Sequence, residues 1–335
     1  MENALRNVAI IAHVDHGKTT LVDALFRESG LFGSRQDQAE RILDRNDLEG
    51  VRINLIDTPG HADFGGQVER VLTMADGALV LVDAFEGPRA QTRFVLEKAL
   101  QNHLSILVVV NKMDRRDARP REVLDEMFDL LVDLGAEDLA VDFPVLYASA
   151  REGWAALKPD PGEPSMAPLL DRILQDVPAP ACGDGPLLFQ VSTLDWDAYT
   201  GKMGIGRVQQ GRLQRGMEVS LVRAEGPPVA GRIKEIYRFN GMERVPTESV
   251  GPGDIAVVAG MEELGLGDTL CHPDHLQALS PIRVEKPTIE MEVRINESPF
   301  AGREGEHVTA RKVQERLRRA GLSDPALKVE LGPEG

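Results

Sequence analysis

The stretch that most restricts this chain is Ala12-His13-Val14-Asp15-His16-Gly17-Lys18-Thr19-Thr20. An apolar run at residues 8–11 leads into it, and an amphipathic segment with Leu21, Val22, Leu25 and Phe26 follows. Strand, tight loop and helix in that order are the setting of a phosphate-binding loop. In that setting the loop N–H groups, from Asp15, His16 and Gly17 through Lys18, Thr19 and Thr20, wrap the phosphates of a nucleotide with the positive end of the new helix. Lys18 reaches the β- and γ-phosphates, and the Thr19 hydroxyl ligates Mg²⁺. The pattern G-x-x-x-x-G-K-[ST] is met except at Ala12, a position alanine tolerates while its φ stays negative. An accidental Gly-Lys-Thr in a surface turn is the competing reading, and the flanking strand and helix weigh against it.

The chain around this loop alternates strand and helix. Residues 51–56 read as a strand running into Asp57-Thr58-Pro59-Gly60-His61. Residues 78–83 and 105–111 are near-continuous apolar runs, as parallel strands buried on both faces require. Between them, residues 88–101 can form a helix with Pro88 at its first position. Residues 120–134 place Val123, Met127, Leu130, Leu131 and Leu134 on one helical face, with Gly135 after it. Gly30 is a plausible stop for the first helix. A strand at 145–148 and a helix at 169–175 complete a doubly covered parallel sheet.

Residues 178–186 have the composition of a linker. Short strands then alternate with Gly-rich turns at 187–191, 204–208, 218–222 and 255–258, which predicts a small β-barrel ending near Ser280. A strand at 288–295, a helix at 308–317 and an element at 327–331 form half of a further α+β unit, inside which the chain stops. The expected division is 1–180, 181–282 and 283–335, a multidomain α/β plus β chain. A length of 335 residues allows two or three such cores.

Three further motifs sit at predicted strand ends, where open α/β sheets collect ligands. Asp57 can hold Mg²⁺ through water, and the Gly60 N–H can meet a γ-phosphate. In Asn111-Lys112-Met113-Asp114 the Asp114 carboxylate accepts two hydrogen bonds from guanine. Adenine has no matching donor pair, so a buried carboxylate there rejects it. Asn111 ties this loop to the phosphate loop, Lys112 lies along the base plane, and Ser149-Ala150 supply a backbone N–H. Each motif alone is weak; four in order at strand ends select GTP and GDP with Mg²⁺. His61, directly after Gly60, is the candidate for orienting the attacking water, its alternative being a turn cap.

Other features are read more plainly. His13 and His16 follow loop geometry rather than forming a metal pair. The Cys271-His272-Pro273-Asp274-His275 cluster lacks a fourth ligand at zinc spacing and reads as a polar turn. No apolar run approaches the ~18–20 residues that span a bilayer, so no membrane role is expected. Cys182 and Cys271 are the only cysteines, which favours a reducing compartment, the cytoplasm by default. A net charge of −16 is unlike a nucleic-acid binder. From residue 283 on, however, ten basic residues balance ten acidic ones, so residues 1–282 carry the whole excess. The basic helical stretch with Arg303, Arg311, Lys312, Arg316, Arg318 and Arg319 reads as a solvated face.

His13-Val14-Asp15-His16-Gly17-Lys18-Thr19-Thr20 with Asp57-Thr58-Pro59-Gly60-His61 resembles the translational GTPases, the group of elongation factors Tu and G. Two stretches, 61–70 (HADFGGQVER) and 298–305 (SPFAGREG), resemble the BipA (TypA) branch rather than elongation factor G or LepA. The resemblance implies a GTPase domain, a β-barrel and the start of a ferredoxin-like domain. It implies a factor that binds the 70S ribosome and serves 50S subunit assembly and stress-adapted translation; tRNA is a further candidate partner, and a monomer is expected. It implies further that the sarcin–ricin loop of the large-subunit rRNA drives His61 into its active position, under a hydrophobic gate of which Val14 is one half. Isolated GTP hydrolysis is expected to be slow, since no arginine finger is identifiable, and to be stimulated by the ribosome.

The sequence departs from that pattern in one place. The family carries, before Asp57, a mobile loop whose Thr ligates Mg²⁺, yet residues 30–50 contain no Thr and leave no room for a strand to hairpin with 51–56. Omission of residues between Glu49 and Gly50 is the hypothesis, and a Cα separation well above ~3.8 Å there would support it. As written, the chain also admits a GTP-state-dependent binding module with little hydrolysis. An elongation-factor-G-like translocase is disfavoured by Gly65-Gly66 and the Ser298-Pro299-Phe300 stretch.

Overall fold

In β1 (Leu5–Ala12) every residue from Asn7 onward is buried, which only the interior of a helix-covered sheet permits. The computed structural model describes residues 5–29, 51–58, 65–160, 164–197, 199–223, 225–280, 282, 290–295, 309–323, 327 and 329–330. It divides into two units, Met1–Ala181 with Asn240–Glu243, and Cys182–Phe239 with Arg244–Gly335.

The first unit is built on a six-stranded sheet. Beside β1 lie β2 (Arg52–Asp57) on one flank and β3 (Gly77–Asp83) on the other, followed by β4 (Ser105–Asn111), β5 (Val145–Ser149) and β6 (Trp154–Ala156). All neighbours pair in parallel except β5 and β6. Among the described residues its helices are α1 (Lys18–Glu28), α2 (Gly65–Leu72), α3 (Ala90–Gln101), α4 (Pro120–Asp133), α5 (Glu137–Val141) and α6 (Ala167–Asp176). Alternation along the strands divides the core. Val8, Ile10, Leu79, Leu81, Leu107 and Val109 pack with Leu21 and Leu25 of α1 and Leu169 and Ile173 of α6. Ala9, Ile11, Val80 and Val82 point the other way, and α3 lies against β1 and β3.

The helix at 120 starts on its proline and buries Val123, Met127, Leu130 and Leu131, the face expected from its period. The helix expected to open on Pro88 instead begins at Ala90, with the Arg89 N–H donating to the Thr92 hydroxyl at 3.3 Å. The first helix ends at Glu28; Gly30 and the Glu49–Gly50 junction lie outside the described residues.

The second unit is antiparallel. Strands β7 (Leu188–Asp197), β8 (Gly201–Gln210), β10 (Glu218–Val222), β11 (Val229–Arg232), β12 (Glu235–Asn240), β13 (Glu243–Pro246), β15 (Ile255–Ala259) and β16 (Thr269–Cys271) form one sheet in the order β11-β10-β16-β7-β8-β15-β12-β13. β9 (Leu213–Gln214) pairs separately with β14 (Ser249–Val250). The sheet encloses a core of Phe189, Val191, Val208, Leu221, Ile236, Val258 and Leu270. β7 and β8 run longer than their apolar runs suggest, because the Asp197 carboxylate accepts the N–H groups of Tyr199 (2.8 Å) and Thr200 (3.1 Å) and closes their turn. Pairing shifts between Val191 and Thr193, where Gly206 lets the Gln190 carbonyl come close.

Beyond residue 282 the expectations change. Residues 290–295, expected as a strand, have no regular structure, and neither do 327, 329 and 330. The helix is present as α7 (Ala310–Ser323), two residues later and six longer at its end than its apolar spacing indicates. Among the described residues no helix is long and apolar enough to cross a membrane.

Candidate nucleotide-binding site

The parallel strands deliver four loops to one edge of the sheet, after β1, β2, β4 and β5. β1 stands where strand order reverses, with β2 on one side and β3 on the other, the position at which such sheets bind ligands.

The loop after β1 closes tightly onto α1. His16 N–H donates to the His13 carbonyl (3.2 Å) and Leu21 N–H to the Gly17 carbonyl (2.9 Å). Asp15 (φ 65°) and Gly17 (φ 93°) are both left-handed. At Gly17 a Cβ would stand 2.6 Å from Nδ2 of Asn111, so glycine is required there for space as well as for φ. That Nδ2 donates to the His16 carbonyl at 2.9 Å, and Asn111 Oδ1 accepts the Ala150 N–H at 3.0 Å. Asn111 is buried. One side chain therefore fastens the phosphate loop, β4 and the loop after β5 together. The Ala150 N–H, expected to face a base, is engaged by this amide.

Asp114 is oriented from β5: its Oδ1 accepts the Ser149 hydroxyl at 2.8 Å, and the Ser149 hydroxyl oxygen in turn accepts the Glu152 N–H at 3.2 Å. Lys112 is left-handed (φ 64°). Its Cε lies 4.0 Å from the point a Gly17 Cβ would occupy, and its Nζ is 2.8 Å from Asp83.

On the β2 side, Lys18 Nζ donates to the Thr58 carbonyl at 2.5 Å and pairs with the Asp57 carboxylate. The buried Thr58 hydroxyl donates to the Ile10 carbonyl at 2.7 Å and pins the end of β2 to β1. Thr19 and Thr20 are exposed in the first turn of α1. Gly60 and His61 lie outside the described residues.

Two buried titratable groups support the loops. The His16 ring has no solvent exposure; its Nδ1 is 3.3 Å from the Leu81 carbonyl and its Nε2 3.8 Å from Glu86. Burial lowers its pKa below the ordinary imidazole value. Its ring meets His13 edge-on at 5.2 Å. Asp83, at the end of β3, is missed by a reading of motifs, though a charge closing an apolar strand is a visible signal. Burial opposes its ionisation. Lys112 and the N–H groups of Phe85 and Glu86 outweigh that and hold its carboxyl below the usual range.

The chain matches the family model described as Elongation factor Tu GTP binding domain over residues 3–52 and 47–179. It matches Elongation factor G domain 2 over residues 188–273. The two pieces of the first match meet at 47–52, at the end of the stretch without Thr. Among curated relatives, the chain is 47% identical over 348 residues to the large ribosomal subunit assembly factor BipA of Bacillus subtilis (strain 168), covering 98% of this chain and 57% of the relative. It is 45% identical over 344 residues to that of Salmonella typhimurium LT2, covering 97% and 57%. To that of Synechocystis PCC 6803 it is 46% identical over 351 residues, covering 99% and 59%. The chain thus spans less than two thirds of the length of these relatives. A crystal structure of a protein from Thermus thermophilus shares the fold, with a TM-score of 0.67 at 21% identity over 99% of this chain and 63% of that one.

Proposed function

Because the chain belongs to the BipA (TypA) family of translational GTPases, we propose that it binds GTP and GDP across the ends of β1, β2, β4 and β5 and hydrolyses GTP to GDP and phosphate. The observation that carries this is the Asn111 side chain, which joins a phosphate loop to a loop whose Asp114 carboxylate is already oriented. Phosphates meet the N–H groups from Asp15 to Thr20 and the Lys18 ammonium. Guanine meets Asp114, with Lys112 along its plane and Ser149-Ala150 at its edge.

The residues present fit Mg²⁺. The Thr19 hydroxyl and the Asp57 carboxylate are a hard oxygen donor set beside Lys18. When bound, the ion neutralises charge on the β- and γ-phosphate oxygens. Gly60 N–H meets the γ-phosphate and His61 orients the attacking water.

The family membership supports a ribosomal partner, which we take to be the 70S ribosome with tRNA, the sarcin–ricin loop of large-subunit rRNA acting on His61, and a role in 50S assembly and stress-adapted translation. The factor acts as a cytoplasmic monomer. One observation favours a second reading, a GTP-dependent binding module with little turnover. Residues 30–50 hold no Thr to complete the metal site, and the family match breaks at their end.

GTP turnover with and without 70S ribosomes separates the two. Ribosome stimulation that is lost in His61→Ala, with ATP inert, supports the GTPase. Tight GTP binding without stimulation supports the module, and failure to bind GTP overturns both.

A further inference from the structure

Asp83 is fully buried, and its two oxygens have different tasks. Oδ1 accepts the N–H groups of Phe85 (2.8 Å) and Glu86 (3.2 Å), shaping the turn after β3. Oδ2 faces two cations from the neighbouring strand's loop, Lys112 Nζ at 2.8 Å and an Arg115 nitrogen at 3.4 Å.

The two cations depend on it unequally. Arg115 is held elsewhere, by both oxygens of Asp117 (2.9 and 2.8 Å) and by stacking on Phe85, 4.7 Å from the ring centroid. Lys112 has a left-handed backbone, a conformation that persists only where its surroundings enforce it. Asn111 before it is stapled, Met113 after it donates its N–H to the Ala148 carbonyl (3.1 Å), and Asp83 grips the far end of its side chain. Between backbone and ammonium the stem passes Gly17.

We propose that Asp83 is a positioning residue for guanine recognition, anchoring the Lys112 ammonium so that the methylene stem is already laid past Gly17 when a base arrives. This rests on the guanine-nucleotide reading above. A flexible four-carbon side chain fixed in advance loses no rotamer freedom on binding, and that cost governs how long a ligand is retained.

The test is the release rate of a fluorescent GDP analogue from the 335-residue chain. Asp83→Asn keeps an oxygen for Phe85 and Glu86 but removes the anchor, and should speed release ~10-fold. Lys112→Met keeps the stem, loses the ammonium, and should do the same. Asp83→Asn added to Lys112→Met should change the rate less than about 2-fold, as coupled partners require. Arg115→Gln should leave it unchanged. An equal acceleration by Asp83→Asn in both backgrounds would overturn the proposal, making Asp83 a strut of its turn. So would unaltered release from Asp83→Asn while the wild type binds GDP. A wild type that does not retain GDP overturns the guanine reading as well. Should Asp83→Asn not fold, Lys112→Met decides alone, unaltered release overturning the proposal.

Discussion

Gly17→Ala is expected to weaken the first unit far more than one methyl group suggests. At φ 93° and ψ 26°, alanine occupies the left-handed region at a cost of roughly 1–2 kcal/mol. Its Cβ also falls 2.6 Å from Asn111 Nδ2, so the amide must leave. Its bonds to the His16 carbonyl and the Ala150 N–H then stretch or break, and a buried group left without a partner costs about 1–3 kcal/mol. The sum is about 2–5 kcal/mol, a large share of the ~5–15 kcal/mol that holds a domain together. For a unit of this size about 4 kcal/mol lowers Tm by about 8–16 °C. Gly135→Ala is the control: φ there is 75° with nothing within 4 Å of the new Cβ, so it pays the backbone cost alone. Thermal unfolding by circular dichroism compares the two. Equal losses would refute the reasoning, because the Asn111 contact would then contribute nothing.

His16→Asn should flatten the acid limb of stability. The His16 pKa is lowered in the fold, so the unfolded chain takes up the proton first; the neutral ring's contribution is complete above about pH 6.5 and is lost as pH falls through the lowered value. Tm measured from pH 7.5 to 5 should therefore drop more steeply for the wild type than for the variant. Thr58→Val, which removes the bond to the Ile10 carbonyl, should cost about 1 kcal/mol in urea denaturation. In the second unit, Gly206→Ala places a Cβ 1.8 Å from the Gln190 carbonyl oxygen. Backbone cannot yield as a side chain does, so about 3 kcal/mol or more is expected, read as greater protease sensitivity of residues 182–280.

What the sequence discloses here is what repeats or alternates locally. The buried runs of β3 and β4, the face of α4 and the loop between β1 and α1 all follow from spacing, and with them the ends at which Lys18, Asp57, Asn111 and Asp114 stand. What it conceals is pairing at a distance. Asp83 looks like an ordinary strand terminus until Lys112 and Arg115 come in from the next strand, 32 residues away in the case of Arg115. Thr58 reads as part of a phosphate motif, yet its hydroxyl serves β1. The length of β7 is hidden because Asp195, Trp196 and Asp197 continue it without an apolar run, held by register with β8 rather than by burial. Residues 290–295 alternate as a strand does, and alternation alone does not supply a partner.

The Asn111 staple also sets a clock. It joins His16, 95 residues upstream, to Ala150, 39 residues downstream. On a nascent chain growing at about 5–20 residues per second, the phosphate loop is made roughly 7–27 s before Ala150 exists to be joined to it. Within that interval β2 and then β3 emerge and can pair with β1 while the base loop still has nothing to close on. Capacity to hold a nucleotide would then switch on late and abruptly during synthesis, with emergence of β5 rather than of the loop that contacts the phosphates.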